Sequence, residues 1–186
     1  MQEKRILWIK KQPSFKIQDI VFIDESGFNT KMTRLYGWGK RSERLKCKAP
    51  NGHWKTMTFI AGLRHDRIDA PWVLDGPMNG DAFCVWLEVC LLKTLKLGEL
   101  VIMDNLSSHK VKQVKEILKS VDAKPLYLPP YSPDFNPIEQ VFAKLKSLMR
   151  KAEKRDFKTL WKHLGKLLDK FPASECKNYL KNSGYC

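Results

Sequence analysis

Long apolar runs and paired cysteines are both missing from this 186-residue sequence. The most apolar stretch, residues 82–92, is interrupted by Glu88 and is too short to span a bilayer, so we expect no membrane association. The five cysteines are odd in number and contain no Cys-x-x-Cys pair, which argues against a disulfide framework or a zinc site and for a reducing compartment. Residues 1–11 carry no secretory signal, which predicts a cytoplasmic protein.

Acidic residues are scarce relative to basic ones. The sequence has 34 Lys and Arg against 20 Asp and Glu, a net charge of +14. Such an excess favours a polyanionic partner, most often nucleic acid, over a basic surface that serves solubility alone. The length and an apolar share of 43% suit one domain with a full core.

The apolar periodicity predicts strands first and then alternating helices and strands. The expected strands are 20–23, 35–38, 54–63, 70–74, 100–103 and 125–128. The expected helices are one ending at residue 11, one capped by residues 79–81, one capped by Ser107, one with Ile138, Phe142, Leu145 and Met149 inward, and 157–168 with Trp161 inward. This order indicates an α/β fold with a mixed sheet whose first strands form a three-stranded antiparallel meander.

Three acids occupy positions from which they could meet. Asp24 and Asp104 each follow a strand-like apolar run, and ligands of such sheets collect beyond the carboxyl ends of strands. Glu139 closes a proline-rich segment, residues 126–139, and begins a basic, helix-favouring stretch. Carboxylates on separate rigid elements are ligands that Mg²⁺ prefers and that metal-assisted phosphoryl transfer can use.

Each acid also has a structural interpretation. Asp24 and Asp104 could be turn formers or helix caps. Asn136, Pro137 and Glu139 fit a capping box in which Asn136 is the cap. Taken singly, each acid is more often structural, whereas the combination of all three favours a metal site.

Four segments carry a family resemblance. They are Ile-Asp-Glu-Ser-Gly-Phe (23–28), Tyr-Gly-Trp (36–38), Ile-Met-Asp-Asn (102–105) with His109, and Leu-Pro-Pro-Tyr-Ser-Pro-Asp-Phe-Asn-Pro-Ile-Glu (128–139). In this order they resemble the DDE transposases of the mariner-like superfamily, in the branch found in bacterial insertion sequences. The 34 residues between Asp104 and Glu139 match the spacing of that branch, and the resemblance extends from about Asp19 to the C-terminus. Phe142 is a departure, since many relatives carry Trp there.

The resemblance implies both a fold and a chemistry. The fold would be a ribonuclease-H-like mixed five-stranded sheet flanked by helices, with Asp24, Asp104 and Glu139 as the metal-binding catalytic acids. Two Mg²⁺ or Mn²⁺ ions would support nicking at transposon ends and transfer of the freed 3′-hydroxyl to target DNA. The partners would be both DNAs and a second copy of the chain in a DNA-bound homodimer, at the nucleoid of a bacterial cytoplasm.

Full-length members of the superfamily carry N-terminal helix-turn-helix modules, and the roughly 18 residues before the first strand are too few for one. We therefore expect residues 1–18 to be a basic helix or linker remnant and residues 19–186 to be the catalytic domain. The chain would be a shortened transposase, one product of a split reading frame or a decayed remnant. The alternatives are a stand-alone ribonuclease-H-like endonuclease and a catalytically idle DNA-binding remnant.

Other polar residues are candidates to support the acids. Asn105, His109 and Asn136 would contact the acids or order the site, although for His109 a surface position is an equal alternative. Glu25 is expected to form a salt bridge or a turn, because neighbours in a strand point to opposite faces.

Two basic groups are candidates to contact DNA phosphates, with a solvated basic surface as the alternative. Their members are Lys40, Arg41, Arg44, Lys46, Lys144, Lys146 and Arg150. Trp38 and Trp54 flank the first group and could stack on bases, although core packing is the stronger expectation.

Overall fold

The computed structural model describes residues 2–46 and 50–185. Within these ranges the helices are α1 (Gln2–Lys11), α2 (Gly80–Trp86), α3 (Lys112–Lys119), α4 (Ile138–Ala152), α5 (Phe157–Leu168) and α6 (Ala173–Asn182), and α2 continues into a π-helical turn (Leu87–Leu91). The strands are β1 (Ile20–Asn29), β2 (Thr56–Leu63), β3 (Ile68–Asp75), β4 (Leu100–Met103) and β5 (Lys124–Tyr127).

The strands form one mixed sheet in the order β3-β2-β1-β4-β5. Strands β1, β2 and β3 pair antiparallel, so a three-stranded antiparallel meander is present, with β3 and not residues 35–38 as one of its strands. Strand β4 pairs parallel with β1, and β5 pairs parallel with β4. The predicted mixed five-stranded sheet flanked by helices is confirmed.

The predicted strand at residues 35–38 is wrong. Leu35, Tyr36 and Trp38 are exposed, and residues 30–46 contain no strand. The apolar run is short, and β2 takes the place beside β1 that this run was expected to fill. Residues 34–46 therefore form an exposed stretch of the connection between β1 and β2.

Strand alternation divides the core between the two faces of the sheet. On β1, Ile20 and Phe22 belong to the core that also contains the buried residues of α4, α5 and α6. Val21 and Ile23 belong to the core that contains the buried residues of α2 and α3. By the same alternation, Asp24 continues the first set and Glu25 the second.

Helix α4 carries its predicted apolar stripe, whereas α5 differs from the prediction. The four stripe residues of α4 are all buried, namely Ile138, Phe142, Leu145 and Met149. Trp161 on α5 was expected to face inward, and that expectation is wrong because its side chain is 45% exposed. Leu160 and Leu164, which were also expected to face inward, are buried, and Leu167 completes the buried side of α5.

Helix α6 is absent from the sequence-based expectations because polar residues dominate it. Of its ten residues, Cys176 and Leu180 are the buried ones. The segment that follows α6 reaches α1, where Trp8 Nε1 donates a hydrogen bond to the Tyr185 hydroxyl at 2.9 Å. The N-terminal helix is thereby attached to the body of the domain.

Of the two predicted helix caps before α2 and α3, one is correct and the other is wrong. Asn79 caps α2 as predicted, since its side chain accepts a hydrogen bond from Ala82 N at 2.8 Å. The prediction that Ser107 caps a helix is wrong, because Ser107 makes no side-chain capping bond. A 3₁₀ turn (Ser108–Lys110) intervenes before α3 begins at Lys112, and this turn buries His109.

Cys84, Cys90 and Cys176 are free thiols, while Cys47 and Cys186 lie outside the described residues. Within the described part of the chain, no helix has the length and apolar character needed to cross a membrane.

Candidate active site

Asp24 and Asp104 stand side by side at the same edge of the sheet. The last parallel pair of β1 and β4 is Ile23 with Met103, so each acid follows directly after that pair. The sequence suggests that the first strand stops before Asp24, and this is wrong, since β1 continues to Asn29 by pairing with β2. Asp24 therefore sits on a rigid strand, while Asp104 begins a loop.

Glu139 joins the two aspartates from a different element. It lies in the first turn of α4 and lines the same cavity of about 530 Å³ as Asp24 and Asp104. Residues 128–133 of the proline-rich segment form a second wall of this cavity, and Lys110 contributes a basic side chain to it. Three carboxylates from three elements thus share one cleft.

Asp24 is the most buried of these acids, with 6% of the residue exposed. Its Oδ1 accepts a hydrogen bond from Glu25 N at 2.8 Å, and its Oδ2 accepts one from Asn136 Nδ2 at 2.8 Å. Burial, and then the negative charges of Glu25, Asp104 and Glu139, raise the pKa of Asp24 to about 8. The two hydrogen bonds to Asp24 therefore do not offset the cost of holding its negative charge in this buried, acidic site.

Asn136 contacts Asp24 and does not cap α4. The predicted capping box is wrong, because Pro137 occupies the cap position and no side chain closes the helix end. The amide of Asn136 turns instead toward Asp24, 112 residues away in sequence, and its Oδ1 is buried without a hydrogen-bond partner among the described residues. The Asn136 side chain, which the local sequence predicts as the cap of α4, thus makes a tertiary contact with Asp24.

His109 lies behind Asp104 and not at the surface. Its side chain is fully buried, with Nδ1 2.7 Å from Asp104 Oδ1 and Nε2 3.0 Å from Glu25 Oε2. With the imidazole protonated, both contacts are ion pairs. Burial disfavours the imidazolium, but the carboxylates of Asp104 and Glu25 outweigh this cost and raise the pKa of His109 to about 9.

Glu25 is the residue that sequence reasoning left outside the site. Its expected salt bridge is confirmed, and the partner is His109. The signal that could have placed it nearer the site is strand alternation, which puts Glu25 on the face of the sheet where α2 and α3 lie. A histidine five residues after Asp104 is within reach of that face.

Residues of the proline-rich segment contact α1 and the residues that follow α6. Arg5 on α1 forms a two-pronged ion pair with Asp134 at 2.9 and 2.7 Å, and its guanidinium lies 4.4 Å from the centre of the Phe135 ring. The Tyr185 hydroxyl donates to the Phe135 carbonyl at 2.8 Å. These contacts fix the segment that precedes Glu139, and nothing in the segment itself predicts them.

Lys144 has a structural partner, unlike the other predicted phosphate contacts on α4. Its Nζ contacts both carboxylate oxygens of Glu175 at 2.7 and 2.6 Å and donates to the Lys170 carbonyl at 2.7 Å. Lys146 and Arg150 form no ion pair within the described residues. Lys144 thus joins α4 to the region of α6.

Residues 34–46 of the loop between β1 and β2 are exposed, whereas residues 30–33 and Pro50 are partly buried. Its predicted phosphate contacts are exposed, namely Lys40, Arg41, Arg44 and Lys46. The expectation that Trp38 and Trp54 pack in the core is wrong: Trp38 is fully exposed, and Trp54 is about half exposed beneath the Lys31 ammonium, 4.5 Å from its ring centre. Asn105, the remaining predicted residue, lines the cavity beside Asp104.

The chemistry of the lining residues suits a divalent cation. Asp24, Asp104 and Glu139 line the cavity together with Asn136, and carboxylate oxygens are ligands that Mg²⁺ and Mn²⁺ take. The raised pKa of Asp24 reflects burial first and then repulsion from the neighbouring carboxylates, and a bound cation would favour the charged form against both. Among the described residues, no three His, Cys, Asp or Glu side chains converge into a ready-made metal cage, so the fit rests on the donor set and its charge.

The strand order and directions, with acids at the shared edge of β1 and β4, define a ribonuclease-H-like fold. The family model for the DDE superfamily endonucleases matches residues 19–161, and the chain belongs to this family of DNA-cleaving enzymes. No curated protein sequence matches the chain. The predicted family is confirmed, while the bacterial insertion-sequence branch stays a prediction.

Solved structures of Mos1 transposase have the same fold. The paired-end complex with the left transposon end has a TM-score of 0.76 at 17% identity, over 98% of this chain and 57% of that one. The strand transfer complex has a TM-score of 0.77 at 17% identity, over 98% and 57%. The catalytic domain of the Mos1 mariner transposase has a TM-score of 0.67 at 15% identity, over 98% and 85%. The chain thus spans just over half of the longer Mos1 chains.

Proposed function

We propose that this chain is the catalytic part of a transposase that cuts DNA at transposon ends and joins the cut end to target DNA, with residues 19–186 as the catalytic domain. One observation carries the proposal. Asp24 on β1, Asp104 directly after β4 and Glu139 in the first turn of α4 line one cavity in which the pKa of Asp24 is raised to about 8. Clustered carboxylates of this kind can bind the divalent cations that support phosphoryl transfer.

Asp24, Asp104 and Glu139 would hold two divalent ions, Mg²⁺ or Mn²⁺. Structures of the related Mos1 complex were solved with Mn and with Mg, which supports the use of such ions. Bound divalent ions neutralise charge on the phosphate and on the attacking and leaving oxygens. The chain itself orients Asp24 through Asn136, and Lys110 lies in the cavity where a phosphate oxygen would be within reach.

The basic residues outside the cavity would contact the DNA backbone. The related Mos1 structures contain transposon ends, and the net charge of +14 suits such a partner. We propose phosphate contacts by the predicted residues of the β1–β2 loop and by Lys146 and Arg150. The active form would be a homodimer on DNA, working on the nucleoid of a bacterial cytoplasm.

Two lysines of α4 should separate structural from DNA-binding roles. Lys146→Met is expected to reduce the slope of log affinity against log salt by about 1, because one phosphate contact is lost. Lys144→Met is expected to leave that slope unchanged and to lower the free energy of unfolding by about 1 kcal/mol, because it breaks an ion pair whose side chains are 30% and 29% exposed. Fluorescence anisotropy with random duplex DNA and urea unfolding measure the two quantities. Equal salt slopes for both variants would contradict the assignment.

Nicking of supercoiled plasmid in Mn²⁺ tests the proposed chemistry. Wild-type protein should nick the plasmid only when the divalent ion is present, and Asp104→Asn should reduce nicking to the metal-free level while the domain stays folded. Full nicking by Asp104→Asn would overturn the assignment of the acids. Calorimetric titration with Mn²⁺ tests the alternative of a catalytically idle DNA-binding remnant. Such a remnant should show no Mn²⁺ binding that depends on these carboxylates, so carboxylate-dependent binding would exclude it.

A joining assay separates a transposase from a nuclease of the same fold. The substrate is a labelled oligonucleotide with a free 3′-hydroxyl, taken from the inverted repeats that flank the gene, together with an unlabelled target plasmid. Transfer of the label to the plasmid supports strand transfer. Nicking without any joined product would leave an endonuclease as the function.

A further inference from the structure

Glu25, His109 and Asp104 form a continuous contact that approaches the site from behind. His109 Nε2 lies 3.0 Å from Glu25 Oε2, and His109 Nδ1 lies 2.7 Å from Asp104 Oδ1. Asp104 lines the cavity, whereas neither Glu25 nor His109 does. His109 can therefore reach the site through Asp104, and Glu25 acts through His109 in addition to its own charge and backbone contact at Asp24.

The contact distinguishes the two oxygens of Asp104. Oδ1 is engaged twice, by His109 Nδ1 and by Leu106 N, which donates at 3.0 Å. Oδ2 accepts no hydrogen bond from the described part of the chain. The carboxylate is thus held by one oxygen, and the other remains available in a residue that is one-third exposed.

The histidine is itself held on several sides, so it cannot turn away from Asp104. Its side chain is fully buried, and the Phe83 ring lies over it with ring centres 4.4 Å apart. The Tyr127 hydroxyl donates to the His109 carbonyl at 2.9 Å, which fixes the backbone of the turn. The other ring nitrogen, Nε2, contacts Glu25 on β1, the strand that also carries Asp24.

We propose that Glu25 and His109 are a positioning pair that fixes the carboxylate of Asp104 by its Oδ1, so that Oδ2 alone is presented to a divalent cation. The proposal rests on the proposed function, since it takes Asp104 to be a metal ligand. Partners of this kind, one contact removed from a metal, typically change metal affinity or activity by about 10- to 100-fold when they are lost. Because β1 carries both Asp24 and Glu25, the pair also couples the placement of Asp104 to that of Asp24.

Two substitutions of His109 test the pair, because each keeps half of the imidazole. In His109→Asn the amide nitrogen takes the place of Nδ1 and can contact Asp104 but does not reach Glu25. In His109→Gln the amide nitrogen takes the place of Nε2 and can reach Glu25 but leaves Asp104 without its partner. Both variants remove ring volume beneath Phe83, so each is a control for the other in stability.

The readout is Mn²⁺ affinity by calorimetry, with urea unfolding in EDTA to compare the folds. His109→Gln is expected to bind Mn²⁺ about 10- to 100-fold more weakly than wild type, and His109→Asn to retain affinity within about 3-fold. A second pair examines Glu25: Glu25→Gln keeps an acceptor for Nε2 and should bind nearly as wild type, whereas Glu25→Met keeps the length without the acceptor and should bind more weakly.

Equal Mn²⁺ affinities for His109→Asn and His109→Gln, or for Glu25→Gln and Glu25→Met, would overturn the positioning pair. Asp104→Asn serves as the reference for the proposed function. If that variant binds Mn²⁺ as tightly as wild type, the metal-ligand assignment fails, and the positioning pair fails with it. If Asp104→Asn loses affinity while the paired variants do not differ, the positioning pair alone fails.

Discussion

Asp24→Asn is expected to abolish Mn²⁺-dependent DNA cleavage and, in the same protein, to raise the stability of the metal-free domain. Loss of a metal ligand removes several kcal/mol of transition-state stabilisation, which corresponds to a rate lower by roughly 10³-fold. The gain in stability has a separate cause. The carboxylate of Asp24 is almost fully buried among like charges, and the neutral amide of Asn avoids that cost.

The stability effect should depend on pH in a defined direction. Burial and the neighbouring carboxylates raise the pKa of Asp24 to about 8, from an ordinary value of 3.8 in the unfolded chain. The folded state therefore binds a proton at Asp24 more tightly than the unfolded state does. The resulting stabilisation is complete below about pH 4 and is lost as pH rises toward 8, with a total on the order of 5 kcal/mol. The Asp24→Asn variant has no proton to lose at this position, so its advantage over wild type grows across this window.

The surroundings of Asp24 can accept the amide without rearrangement of the fold. Glu25 N can still donate to the side-chain oxygen at position 24, as it now donates to Asp24 Oδ1. The new amide nitrogen would face Asn136, whose Oδ1 is buried without a partner among the described residues. A rotation of the Asn136 amide by half a turn brings that oxygen to the new donor, and moves Asn136 Nδ2 to the position that Oδ1 now occupies.

Urea unfolding in EDTA at pH 5 and pH 8, with wild type and Asp24→Asn side by side, measures this difference. Asp75→Asn, which alters an exposed carboxylate at the end of β3, is the matched control and should follow wild type at both values. Addition of Mn²⁺ should stabilise wild type at pH 8 and not the Asp24→Asn variant. A variant that is no more stable relative to wild type at pH 8 than at pH 5 would contradict the proposed cause.

Arg64→Met is expected to lower the free energy of unfolding by about 3–5 kcal/mol. Arg64, Asp69 and Glu99 form a buried ion cluster, with exposed fractions of 3%, 7% and 2%. Arg64 Nε lies 2.5 Å from Asp69 Oδ2, and Nη1 lies 2.5 Å from Glu99 Oε1. Methionine fills much of the space but leaves Glu99 buried without a cation, and leaves Asp69 with only the half-exposed Arg67 guanidinium 3.6 Å away. The cluster joins the turn after β2 to the start of β4, so its loss should loosen the sheet as a whole.

Arg67→Met is the control for this prediction. Arg67 also approaches Asp69, with Nη2 3.6 Å from Oδ2, but its side chain is about half exposed. An exposed contact of this kind contributes about 0–1 kcal/mol. Urea unfolding of the two variants should therefore separate them by several-fold, and similar losses would show that burial of the cluster is not what makes Arg64 important.

The sequence suffices to predict much of this architecture because the relevant signals are local. The apolar runs before Asp24 and Asp104 are short and uninterrupted, as strands buried on both faces require, and the stripe of α4 repeats at helical spacing. Parallel pairing of β1 with β4 then brings the two aspartates to one edge. The misplaced strand at 35–38 shows the limit of such signals, since a short apolar run does not reveal whether a buried face is available to it.

Local sequence by itself determined which acids are present, in what order, and on which kinds of element, because strand and helix periodicities depend on residues a few positions apart. Tertiary structure alone decided the partners of the polar side chains. Asn136 contacts Asp24, which is 112 residues away in sequence, and does not cap α4. His109 contacts Glu25 across 84 residues, and Lys144 pairs with Glu175 across 31 residues. A buried polar group must find a partner wherever the folded chain supplies one, and that partner is set by the packing of distant elements.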